Sequence, residues 1–85
     1  STTQHYMIKD AVALRFQNIC AERSISPNEL ANLAGLTPST VYSMLDPTRR
    51  DISIRTIKRL LDGLEMSPKE FFSSFEFDNL EQEIQ

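Results

Sequence analysis

One cysteine and one histidine are all that these 85 residues offer to thiol, imidazole or soft-metal chemistry. Cys20 alone closes no intramolecular disulfide, which argues against an oxidising compartment. His5 has no ligand-spaced partner, so it reads as a surface side chain rather than a metal ligand or a base. No apolar run approaches the roughly 18 residues of a membrane span, and no N-terminal signal pattern appears, so a cytoplasmic protein is expected. There is no glycine-rich phosphate loop, no metal-ligand cluster and no nucleophile paired with a base. A catalytic role, a cofactor and a small-molecule ligand are therefore not expected. The length bounds the chain to one small domain, without room for a large cleft.

What is present is a succession of helix signals, densest from Ser26 to Leu45. Ser26 is placed to cap a helix that starts at Pro27, with Glu29 completing a capping box and Leu30, Leu33 and Ala34 giving the apolar face. Gly35 stands where a helix ends in a left-handed residue. After Gly35-Leu36-Thr37, Thr37 is placed to cap a second helix with Pro38 first and Val41, Met44 and Leu45 at helical spacing. Two helices across three residues form a tight corner. Ala31 suits the close crossing, while Leu30, Ala34, Leu36, Val41 and Met44 fill the space between. Pro38, Ser39, Tyr42 and Ser43 are left as the outward edge of the second helix.

This segment resembles the helix-turn-helix of the phage repressor and Cro family of XRE-type regulators. The likeness extends from about residue 8 to 75, through Phe16, Ile19 and Ile25-Ser26 upstream and through Ser53 to Leu64 and Ser67 to Phe72 downstream. It departs from the usual pattern at Pro27, Leu45 and Pro47. The resemblance implies an all-α, compact five-helix lambda-repressor-like domain over residues 1–75, with the motif at 26–45. It also implies a small transcriptional regulator, expected to repress, that binds double-stranded DNA sequence-specifically as a homodimer. The edge at Pro38, Ser39, Tyr42 and Ser43 would then read bases in the major groove. Asn28, Thr37, Thr40, Arg49, Arg50, Arg55 and Lys58 are the candidates for phosphate contact. The competing class is a protein-interaction module, antitoxin-like or adaptor, that retains the fold and holds a partner on its aromatic and acidic C-terminal part.

A net charge of −3 looks wrong for a DNA binder until it is divided along the chain. Glu76, Asp78, Glu81 and Glu83 sit in a tail without bases, so residues 1–75 hold nine bases against eight acids. Arg49, Arg50, Arg55, Lys58 and Arg59 against Asp51 make a local positive patch just after the second motif helix.

Flanking elements follow in order. Ser1-Thr2-Thr3 reads as a frayed end or an appended remnant. From Tyr6 to Glu22, Ile8, Val12, Phe16, Ile19 and Cys20 form the inward stripe of a helix of about four turns. Pro47 places Arg49 and Arg50 in a loop. Ser53 caps a helix with Ile54, Ile57, Leu60, Leu61 and Leu64 inward, and Gly63 weakens its end by up to about 1 kcal/mol. Ser67-Pro68-Lys69-Glu70 is a second capping box, and at least two of Phe71, Phe72 and Phe75 should be core, since burying each contributes roughly 1.5–3 kcal/mol. In the tail, 76–85, Phe77, Leu80 and Ile84 share a helical side. The choices are a short sixth helix on a second copy, a dock onto the chain's own domain, or disorder.

Overall fold

The computed structural model describes residues 6–84, so the readings of Ser1 to His5 lie outside the described residues. Five helices follow one another, α1 Ile8–Arg23, α2 Pro27–Ala34, α3 Pro38–Leu45, α4 Ile54–Leu64 and α5 Pro68–Phe72, and then a 3-10 turn at Phe75–Phe77. The all-α class is as expected. Among the described residues there is one isolated bridge, Tyr6 to Leu80, and no longer ladder.

Local capping accounts for most boundaries. Ser26 Oγ accepts the Glu29 N–H at 3.1 Å and the Glu29 carboxylate accepts the Ser26 N–H at 3.0 Å, closing the predicted box. Ser53 accepts from the Thr56 N–H at 3.0 Å, and Ser67 supplies its half of the other box to the Glu70 N–H at 3.0 Å. Each satisfies an amide that a helix start otherwise leaves unpaired. Gly35 is left-handed at φ 67° and ends α2 as predicted. Thr37 behaves differently. It occupies the cap position of α3, but its hydroxyl is hydrogen-bonded to Ser39 Oγ at 3.1 Å and Thr40 Oγ1 at 2.9 Å instead of to a backbone amide.

The core gathers Val12, Phe16, Ile19 and Cys20 of α1 with Leu30, Ala31, Val41, Met44, Ile57, Leu60, Leu61, Leu64 and Phe71. Three residues of the predicted apolar faces stay outside it: Ile8, Leu33 and Ile54. Ile8 and Ile54 each open a helix, one residue after its cap, beyond the crossing helices that cover the later turns. α2 packs most extensively on α4, and Gly63 explains how closely. A Cβ there would lie 2.7 Å from the Leu33 carbonyl carbon. The glycine permits a backbone approach; its weakening of the α4 end is incidental.

Phe71 is buried, with Phe16, Phe72 and Phe77 rings at 4.6, 4.9 and 5.7 Å. Phe72 is 41% and Phe75 70% exposed. The expectation that at least two of Phe71, Phe72 and Phe75 are core is met by Phe71 alone, and the partly buried Phe77 takes the other inward place. Arg15 closes this corner from a buried position, donating from Nε to the Phe71 carbonyl at 2.9 Å and from Nη2 to the Glu70 carbonyl at 3.4 Å. It serves carbonyls that a helix end leaves unpaired.

The tail docks onto its own domain, the second of the three choices, and beyond the 3-10 turn its described residues form no sixth helix. An extended tail finds backbone partners that a helix here would forgo: Tyr6 N–H donates to the Asn79 carbonyl at 3.3 Å, and Glu81 N–H to the Tyr6 carbonyl at 2.8 Å. Glu83 accepts the Ile8 N–H at 3.1 Å, at the positive end of α1. Glu76 is buried, bonded to Ser74 and, at 2.8 Å, to the Asn18 side chain.

Candidate nucleic-acid interface

Two short helices do not hold a fixed angle by themselves. Here the corner between α2 and α3 is braced from three sides. Ala31 is fully buried at the crossing. Arg59 of α4 donates to the Gly35 carbonyl at 2.9 Å. Buried Lys9 of α1 donates to the Asp46 carbonyl at 2.8 Å, tying the end of α3 to the start of α1. Burial of Lys9 pulls its pKa below the ordinary lysine value, against the neighbouring Asp10 charge that raises it.

On the free side of α3, Pro38, Ser39 and Tyr42 are exposed, Tyr42 at 53%. Ser43 and Thr40 are half-buried. Both line a shallow cleft of about 230 Å³ between α3 and the 46–53 loop, which Arg49 and Ser53 also line. Base-edge candidates and hydroxyl candidates thus split, the first three outward and the others toward the loop. Asn28 is exposed in the first turn of α2, where Pro27 has no N–H and the Glu29 and Leu30 amides are already bonded to Ser26.

The basic candidates do not converge. Arg49 reaches the cleft beside α3 with its guanidinium engaged by no described residue. Arg50 grips Asp10 through two hydrogen bonds of 3.1 and 2.8 Å, and the Pro47 carbonyl at 2.7 Å. That hydrogen bonding holds the Asp10 carboxyl below the usual carboxylate range and raises Arg50 further. Arg50 therefore fastens the loop to α1. Arg55 and Lys58 stand elsewhere, along an apolar groove between α4 and α5, and Lys58 is paired with Asp62 one turn on. Lys9 was missed as a bracing residue although its spacing to Val12, Ala13 and Phe16 is that of a buried helical face.

The family model for the Cro/C1-type HTH DNA-binding domain matches residues 15–76. The chain belongs to the Cro/C1-type helix-turn-helix family. Searches of curated proteins and of solved structures gave no significant match. The matched range spans the second half of α1, the α2–α3 motif, α4, α5 and the start of the 3-10 turn as far as Glu76, and leaves Lys9 outside it. As a member of that family the domain binds DNA and is a small regulator. Among the described residues no helix is long and apolar enough to cross a membrane.

Proposed function

We propose that the protein is a sequence-specific transcriptional repressor that sets α3 in the major groove of duplex DNA, as a homodimer on two half-sites. The observation that carries this reading is the braced corner. The end of α3 is tied to α1 and the turn before it to α4, and Pro38, Ser39 and Tyr42 on its outward edge are exposed. Ser39 and Tyr42 then reach base edges, with Pro38 offering apolar contact to a thymine methyl. Ser43, Thr40 and Thr37 face the flanking phosphates, with Asn28 at the start of α2 on the other side. Arg49, whose guanidinium is hydrogen-bonded to no described residue and which lies in the cleft beside α3, supplies charge.

The homodimer draws its support from the groove between α4 and α5. Its cavity is about 350 Å³, with Ile54, Ile57, Leu61, Pro68 and Phe72 lining it and Arg55 and Lys58 along it. Ile54 is 84% exposed, and clustered exposed apolar side chains of this kind mark contact sites. The same groove also suits the protein-interaction alternative, so DNA binding is the deciding measurement. Selection of bound duplexes from a random pool should enrich a site with two inverted half-sites. Absence of enrichment, with only weak binding that salt abolishes, would transfer the groove to a protein partner and overturn the regulator reading.

A further inference from the structure

A cavity of about 260 Å³ opens between α1 and the helix-turn-helix, walled by Phe16, Cys20, Ile25, Leu30, Val41 and Leu45. It lies against the inward side of α3, behind the edge that carries Ser39 and Tyr42. None of the residues lining it is charged. Its wall has one heteroatom group of note, the Cys20 thiol, which is nine-tenths buried and has no hydrogen-bond partner among the described residues. Burial pushes that thiol's pKa up, so the wall stays neutral at physiological pH. The Gln17 side chain supplies the polar group at the mouth, next to Ala21.

A water molecule is a poor occupant here, because it needs two to four polar partners, whereas dry apolar cavities of about 150 Å³ hold benzene. A space larger than that takes more than one ring. The cavity opens to solvent over a floor of Phe16, Leu30 and Val41 that is already packed, and an apolar molecule seated on it gains dispersion contacts with the mouth residues that water does not supply. A charged ligand would enter without a counter-charge, at a high desolvation cost.

We propose that this cavity is a binding site for a small uncharged aromatic molecule of one or two rings, with at most one donor group facing the Cys20 sulfur or Gln17. The composition alone points away from any small-molecule ligand; the cavity reverses that expectation. The site is separate from the DNA-facing edge, so its test needs no DNA and its failure would leave the regulator reading untouched.

The probe is indole, titrated into the isotopically labelled full chain while backbone amide resonances are followed. The expected result is a saturable set of shifts centred on Cys20, Ile25, Val41 and Leu45, with a Kd on the order of 0.1–1 mM for so small a ligand. Ala21→Leu, at the exposed mouth and on a helix that favours both residues, should keep the dispersed spectrum and weaken indole by about tenfold through overpacking of the occupied site. Indole-3-acetate, the same ring with a carboxylate, should bind at least about tenfold more weakly than indole. Shifts that never saturate, that scatter over the surface, or that are indifferent to Ala21→Leu or to the added carboxylate would overturn the proposal.

Discussion

Replacing Gly63 with alanine sets two accounts of that glycine against each other. A methyl group at Gly63 would sit 2.7 Å from the Leu33 carbonyl carbon, and 2.8 Å from both the Ala34 nitrogen and the Leu33 oxygen. Unstrained contacts between carbon atoms run at about 3.5–4.0 Å, so α4 must withdraw from α2 by roughly 0.7 Å or more. The obstructing atoms are backbone, so no rotamer change relieves the overlap. Helix propensity acts in the opposite direction, favouring alanine by about 0.8–1 kcal/mol. Overpacking of this kind costs about 1–3 kcal/mol, which leaves a net loss of roughly 1 kcal/mol. In a domain of this size, 1 kcal/mol lowers the melting temperature by about 4–8 °C. Urea unfolding followed by far-UV circular dichroism should show a lower midpoint with an unchanged slope. An unchanged or raised midpoint would refute the close-approach account and restore the glycine to a plain weak point in the helix.

Three further outcomes follow from particular contacts. For Glu76, burial raises the carboxyl pKa, but hydrogen bonds from Ser74, Asn18 and its own backbone, with the Arg15 charge, outweigh it and hold the group below its ordinary value of 4.5. Its stabilisation is therefore complete at neutral pH and lost as the pH falls through the lowered value, so the stability of Glu76→Gln should fall less than wild type between pH 6 and pH 3. Equal acid losses in the two proteins would remove Glu76 from that account. Arg49→Ala should weaken binding on all duplexes and reduce the salt slope by about one unit, while Arg50→Ala should lower the melting temperature by freeing the loop from Asp10. A reversal of those two phenotypes would exchange the roles given to the two arginines. If the proposed homodimer forms through the α4/α5 groove, Ile54→Asp should leave only monomer in sedimentation with the helical spectrum intact, and a persisting dimer would place the subunit contact off that groove.

The parts of this fold that were legible in the sequence are those decided within a few residues. Ser26, Ser53 and Ser67 each bond an amide three positions on, and Gly35 turns the chain by a conformation that glycine adopts at no steric cost. The helix-turn-helix is a chain of such local decisions, and it was readable for that reason. Tertiary contacts were not. Arg15 bonds a carbonyl 56 residues away, Arg23 one 41 away and Lys9 one 37 away. In the sequence each looks like a charge destined for solvent, since nothing nearby says which carbonyls will be left open. Ile54 and Phe72 failed in the other direction. Period and composition put them inward, but their exposure depends on where α4 and α5 stop covering each other. In the tail, Phe77, Leu80 and Ile84 keep helical spacing, yet the segment runs extended and pairs with the Tyr6 backbone, a contact that periodicity could not choose among the three readings.

Those long-range bonds change what the charge of the chain means for DNA. Of the nine basic residues, Lys9, Arg15, Arg23 and Arg59 spend their donors on backbone carbonyls, and Arg50 and Lys58 face carboxylates. Arg49, Arg55 and Lys69 are left uncommitted among the described residues. The positive patch counted from Pro47 to Leu60 is thus mostly structural, and the acidic tail is strapped close enough to Arg50 to raise its pKa. A domain with a net charge of −3, whose Arg50 and Lys58 are offset by carboxylates, attracts a polyanion weakly at long range. On the proposed reading its affinity comes from close contact, through hydroxyls and the α3 edge, and from pairing two copies on one duplex. Weak electrostatics lowers non-specific binding more than specific binding, so the same economy of charge sharpens discrimination between an operator and the surrounding DNA.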